Sequence, residues 1–180
     1  MKACSTSLKS LRLNIDVDLD PTTPSEVNLP MLDHLECEYG MRVDDSNLMW
    51  LSVNTPALRV YIDCNEPGES CILTSGLQSI THLRSYTAPM VSQLKDIRTL
   101  QLRIEFDEIC KFLEELRNSD TLLPDLETLE FSETWLHREL DEAVWFLSKW
   151  ESTHYPALQP SIVNEDLFKE PLWNPITPVR

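Results

Sequence analysis

Glycine is scarce in this 180-residue chain: only Gly40, Gly68 and Gly76 occur, against 12 prolines. Loops that bring backbone close to a ligand depend on glycine. With so few, no phosphate-cradling loop, dinucleotide fingerprint or nucleophile elbow can be written anywhere. Positive charge is short as well. Lys and Arg number 15 against 30 Asp and Glu, leaving a formal charge of −15. Phosphate affinity comes from Lys and Arg, so neither nucleic acid nor a membrane surface is expected as a partner. No apolar run approaches the ~20 residues that cross a bilayer, and Met1 to Ser10 lacks the apolar stretch of a signal peptide. An apolar content of 42% nevertheless argues for a folded chain. The length suits one domain with a sizeable core.

Paired cysteines are missing too. Cys4, Cys37, Cys64, Cys71 and Cys110 are odd in number, scattered, and contain no C-x-x-C. A small Cys64–Cys71 loop is conceivable, but reduced thiols fit better, with Cys37 and Cys110 as small apolar residues. The expected compartment is intracellular, cytoplasmic or nuclear.

What is present is a recurring phrase. Leu8-Lys-Ser-Leu11-Arg-Leu13 is followed by Leu32-Asp-His-Leu35-Glu-Cys37, then Ile97-Arg-Thr-Leu100-Gln-Leu102 and Leu126-Glu-Thr-Leu129-Glu-Phe131. Ile80-Thr-His-Leu83-Arg-Ser85 is a weaker copy. Leu58-Arg-Val60-Tyr-Ile62-Asp-Cys64 alternates cleanly but reads one residue out of phase. First apolar positions Leu8, Leu32, Leu58, Ile80, Ile97 and Leu126 are separated by 24, 26, 22, 17 and 29 residues. Leucine-rich repeats run about 20–29 residues. A prolyl lead-in recurs at Leu29-Pro30, Thr55-Pro56 and Leu123-Pro124, where proline ends the preceding element. Each L-x-L portion predicts a short strand with alternate side chains facing a core. One such unit cannot bury its own apolar face, whereas stacked neighbours can.

Between phrases, Phe106 to Arg117 predicts an amphipathic helix with Phe106, Ile109, Cys110, Leu113 and Leu116 on one face. A second helix is predicted from about Thr134 to Trp150, with a stripe of Leu136, Leu140, Ala143, Val144, Leu147 and Trp150. Asp45 to Asn54 reads as a shorter helix, and Asp18 to Asn28 and Asn65 to Gly76 as loops. The fold class expected is α/β: an irregular leucine-rich-repeat solenoid, short parallel strands on one face with helices and loops on the other. Residues 1–152 form the repeat domain in five or six units. Residues 153–180, with five of the 12 prolines, form a tail or cap.

These phrases, Leu123-Pro-Asp-Leu-Glu-Thr-Leu-Glu-Phe131 above all, resemble the leucine-rich-repeat region of fungal F-box-type proteins. The resemblance covers roughly Leu8 to Phe131. It implies substrate recognition for a cullin-type ubiquitin ligase. A helical F-box would precede the repeats, but Leu8 already belongs to one, so a ligase adaptor is a partner only if that module lies upstream of Met1.

Catalytic patterns are weak. His34 and His82 stand at comparable positions before Leu35 and Leu83, yet no metal or acid–base spacing accompanies them. Glu114-Glu115 and Asp141-Glu142 lie on polar helix faces rather than converging on a cleft. Pro175 to Pro178 has the spacing of a polyproline ligand, a pattern common by chance. No enzyme, cofactor or metal is expected.

With the leucines pointing inward, the solvent face of the strands displays Arg12, Asn14, Glu36, Glu38, Tyr61, Asp63, Arg84, Tyr86, Gln101, Arg103 and Glu130. Mixed charge with aromatic and arginine anchors is the composition enriched at protein interfaces. The expectation is therefore a non-catalytic protein-binding module, with Tyr61, Tyr86 and Arg103 as anchors. Two rivals stand beside it: a decayed repeat remnant with no specific partner, betrayed by apolar surface at the Met1 end, and a small hydrolase built on His34 and His82.

Overall fold

The computed structural model describes residues 6–15, 25–39, 51–63, 77–86, 94–119, 122–133, 136 and 139–164. In chain order the elements are β1 (Ser10–Ile15), β2 (Ser25–Asn28), β3 (His34–Tyr39), β4 (Leu51–Asn54), β5 (Val60–Asp63), β6 (His82–Ser85) and β7 (Thr99–Leu102). There follow α1 (Phe106–Asn118), β8 (Thr128–Ser132), α2 (Leu140–Lys149) and β9 (Ser161–Val163). Seven strands make one parallel sheet in the order β1-β3-β5-β6-β7-β8-β9, and β2 and β4 pair separately, also in parallel. The fold is mixed α/β. Parallel neighbours need a crossover through a second layer, and here β2, β4, α1 and α2 lie between successive strands of the large sheet.

The recurring phrase explains why the strands start where they do. Leu29-Pro30-Met31-Leu32, Thr55-Pro56-Ala57-Leu58, Leu123-Pro124-Asp125-Leu126 and Tyr155-Pro156-Ala157-Leu158 each close as a turn. The fourth N–H donates to the first carbonyl at 3.1, 3.1, 3.0 and 3.1 Å respectively. Proline presets the backbone at the second turn position. Leu123, at φ 46°, sits in the left-handed region that β-carbons disfavour; burial of its side chain holds it there. Immediately after the first three of these turns the chain hooks onto the strand before. The Asp33 carbonyl accepts from the N–H groups of Arg59 and Val60 at 2.9 and 3.0 Å, and the Arg59 carbonyl from Thr81 and His82 at 2.8 and 3.0 Å. Lys9, Thr81 and Arg98 carbonyls repeat the arrangement towards the next strand along. Two ion pairs run along this row, Arg59 to Asp33 and Arg98 to Glu127, both at 3.7 Å and exposed; such pairs add little stability.

Register then stacks the side chains into columns. Leu11, Leu35, Tyr61, Leu83, Leu100 and Leu129 lie abreast, as do Leu13, Cys37, Asp63, Ser85, Leu102, Phe131 and Ile162. The first apolar residues of the units after the first, Leu32, Leu58, Ile80, Ile97, Leu126 and Leu158, are buried beneath them. Facing residues close the core: Val53 from β4, Ile109, Phe112, Leu113 and Leu116 from α1, and Ala143 and Leu147 from α2. Phe106 and Phe146 meet edge to face, centroids 5.9 Å apart at 88°, a favoured aromatic geometry. At the β1 end Leu8, Leu11 and Leu13 are half-buried and pack against the same core.

Several expectations change. Leu51–Asn54 is a strand rather than the end of a helix, and Ser25–Asn28 is its partner rather than a loop. Both are four-residue segments without a period long enough to separate helix from strand. The second helix starts at Leu140, and Val144 points off its buried side, 52% exposed. Ser161–Val163, within the expected tail or cap, pairs with β8 as the seventh strand of the large sheet. Helix α1 matches its expected span to one residue. Its Glu108 carboxylate accepts from the Glu105 N–H at 3.4 Å, and acids in the first turn with Arg117 in the last suit the helix dipole.

Candidate functional site

Side chains alternate along a strand, so the large sheet has a second face, opposite the core. One row on it is Arg12, Glu36, Ile62, Arg84, Gln101 and Glu130. The row is tied together laterally. Arg12 Nε lies 3.4 Å from Glu36 Oε1. Arg84 Nε donates to Gln101 Oε1 at 2.8 Å, and Gln101 Nε2 donates to Glu130 Oε2 at 2.6 Å. The glutamine amide thus joins a guanidinium on β6 to a carboxylate on β8, giving each the partner its charge requires. Just beyond β6 and β7 the Arg103 guanidinium carbon sits 4.7 Å from the Tyr86 ring centroid, within cation–π range.

Of the residues expected outward, Arg12, Glu36, Arg84, Gln101 and Glu130 fall in this row, and Tyr86 with Arg103 lies beside it. Glu38 occupies the register position opposite Asn14; both side chains lie outside the described residues. Tyr61 and Asp63 are corrections. Tyr61 aligns with Leu35 and Leu83, is 2% exposed, and belongs to the core, where its hydroxyl donates to Asp63 Oδ2 at 3.1 Å. Val60 and Ile62 take the outward places on β5 instead. Leu58 carried the signal: counted from it, Tyr61 and Asp63 occupy the second and third inward positions of the common phrase. A second correction concerns access. Arg84 and Gln101 are on the expected face but buried, as are Val60 and Ile62. The accessible part of the face is its margin, with Arg12 exposed and Glu36, Tyr86, Arg103 and Glu130 half-buried.

His34 and His82 are on this face too, each in register with Val60 of β5, which lies between them. Two strand spacings, about 10 Å, separate their backbones. Among the described residues no group of three or more His, Cys, Asp or Glu could hold a metal. His82 Nδ1 lies 2.8 Å from Thr81 Oγ1. Burial lowers the His34 pKa below its ordinary value, against the pull of Glu36 and Asp33. Burial and Arg98 lower that of His82, against Glu127. Both imidazoles are then neutral at pH 7. The unfolded chain protonates near pH 6.5, before the folded one, so this contribution to stability is complete above that pH. It is lost as pH falls through the lowered folded values. The double substitution His34→Gln with His82→Gln is therefore expected to flatten the decline of Tm between about pH 7 and pH 5. Equal slopes for parent and variant would refute it.

Cys37 is buried in the core and Cys110 half-buried on α1. Burial, then Asp107, Glu114 and Glu142, raise the Cys110 thiol pKa, opposite to what a nucleophile needs. Cys4, Cys64 and Cys71 lie outside the described residues, as do Pro175 and Pro178. Among the described residues no helix is long and apolar enough to cross a membrane. No protein-family model, curated protein or solved structure matches this chain.

Proposed function

We propose that this chain is an irregular leucine-rich-repeat solenoid acting as a non-catalytic protein-binding module. Support for the repeat comes from the turn, hook and strand that recur in sequence order along one parallel sheet. Support for binding rests on one observation above others: at the accessible margin Glu130 is already fixed by the Gln101 amide, which the buried Arg84 guanidinium holds in turn. Side chains held before a partner arrives have less entropy to lose on association. Tyr86 and Arg103, stacked at the accessible margin, are the residue types on which binding energy concentrates. Selection of a substrate for a cullin-type ligase is the specific form of this reading that the F-box resemblance adds.

Arg103→Glu tests it. The reversal loses a half-exposed cation–π contact, expected to cost about 1 kcal/mol or less of stability, so thermal unfolding should shift little. Partner capture should collapse. Affinity purification would be run in parallel with the parent chain and with Arg117→Glu, on the exposed end of α1, and read by quantitative mass spectrometry. A protein retained by the parent and by Arg117→Glu but lost with Arg103→Glu supports the reading. Identical captured sets from all three chains would sink it.

A further inference from the structure

At the other end of the molecule from β1, a cleft of about 560 Å³ opens between α2 and β9, lined in part by Val144, Leu147, Trp150, Glu151 and Ile162. Its size is that of a ligand-binding cleft. Three features there are incomplete. β9 is the last strand of the large sheet, with no strand on its far side among the described residues, and an edge strand offers backbone donors and acceptors for further pairing. Val144, on the wall of the cleft, is 52% exposed, which is high for an apolar side chain on a packed helix. Trp150 is only 6% exposed, and its indole N–H has no acceptor among the described residues. A buried N–H without a partner is rare in a finished structure.

Charge says what kind of occupant fits. From 139 to 164 the ionised side chains are Glu139, Asp141, Glu142 and Glu151 against Lys149, all exposed. They stand in a chain of net charge −15. An acidic occupant would be repelled, and a basic one drawn in at a rate that falls with salt. The free strand edge favours an extended backbone over a helix, because only the former can continue the hydrogen-bond ladder.

We propose that the α2–β9 cleft is a docking site for an extended basic segment of another protein, distinct from the outward sheet face. The segment lies along β9 and seats an apolar side chain among Val144, Leu147 and Ile162. One of its backbone carbonyls accepts the Trp150 N–H. Alternation along the segment turns the neighbouring side chains to the opposite face of the sheet, where lysine or arginine is held by the long-range field of a chain of net charge −15.

The probe is a fluorescein-labelled seven-residue peptide alternating lysine and valine, titrated with the full chain and followed by anisotropy. Glutamate–valine and lysine–serine peptides of the same length serve as controls. The lysine–valine peptide should bind, and both controls should bind at least about tenfold more weakly. Trp150→Phe keeps an aromatic ring, though a smaller one, and removes the donor; with the melting temperature of the variant measured alongside, binding should weaken about tenfold. Val144→Arg, at a position 52% exposed, should abolish it with the melting temperature little changed, whereas Arg117→Ser should change nothing. Several results would overturn the proposal. Equal binding of the lysine and glutamate peptides would remove the charge argument. Insensitivity to both Val144→Arg and Trp150→Phe would place binding elsewhere. A dimer by sedimentation that Val144→Arg dissolves would make a second copy the occupant. Binding that appears only after Phe168→Ala with Trp173→Ala would make it the chain's own 165–180 segment. No binding at millimolar peptide would leave the cleft without this occupant.

Discussion

Tyr61→Ala is expected to lower the free energy of unfolding by about 3–5 kcal/mol, the range for deleting a buried aromatic ring from a packed core. The ring lies in the inward column between Leu35 and Leu83, and 2% of it is exposed. Alanine leaves a cavity that strands on both sides, each fixed by its own ladder, can close only in part. It also removes the hydroxyl that donates to the buried Asp63 carboxylate at 3.1 Å. Tyr61→Phe separates the two losses. It keeps the volume and should cost about 1–2 kcal/mol, through the donor alone. Urea denaturation followed by circular dichroism measures both. Sheet stability that survives Tyr61→Ala to within about 0.5 kcal/mol would return this residue to the outward face and shift β5 by one position.

The difficulty of reading β5 has a physical origin. Leu58, Val60, Ile62 and Cys64 alternate as apolar residues, which ordinarily marks the side facing the core. In this strand both faces are buried, since Val60, Tyr61, Ile62 and Asp63 are all shielded from solvent. Alternation then carries no information about which side is in. Elsewhere one face is polar, and Arg12, Glu36, Arg84, Gln101 and Glu130 could be assigned from sequence to the side they occupy. Their lateral order was legible too, because the phrases from Leu8 to Leu126 follow one another along the chain, and stacked units pair in that order. Burial of Arg84 and Gln101 was not, since it depends on what surrounds the middle of the sheet rather than on their own spacing.

The C-terminal part shows the converse. Tyr155-Pro156-Ala157-Leu158 has the same form as Thr55-Pro56-Ala57-Leu58, and the same closing hydrogen bond at 3.1 Å. It was hidden by the proline count of the residues that follow, a compositional signal that speaks of disorder or extension and not of pairing. The short β2 and β4 strands were hidden for a different reason. Val27 and Val53 sit in register on neighbouring strands, and such a contact is made by strands far apart in sequence. The α2–β9 cleft needs both helix orientation and strand order, so no local pattern announces it. Trp150 was placed correctly on the buried stripe, but its missing acceptor is a property of the surroundings.

Leu102→Asp carries the largest expected effect, loss of the folded state. Leu102 is 0% exposed, in the inward column between Ser85 and Phe131. Removing the isobutyl group alone costs about 2–5 kcal/mol, and an unpaired carboxylate adds several more or forces its own protonation. Together these match the roughly 5–15 kcal/mol by which a whole domain is stable. The same column holds a carboxyl group already, at Asp63, so a polar side chain there is not forbidden in itself. Asp63 stands between Cys37 and Ser85, both small, and receives the Tyr61 hydroxyl. At 102 the larger neighbour is Phe131, a wholly buried ring that has no donor. Leu102→Met, nearly equal in volume, should cost less than about 1.5 kcal/mol. The measurement is the far-ultraviolet circular dichroism of the two variants and their cooperativity on heating. A Leu102→Asp chain that melts cooperatively within about 2 kcal/mol of the parent would show that this column is not the packed interior. The inward and outward faces of the sheet would then have to be exchanged, taking the candidate binding face with them.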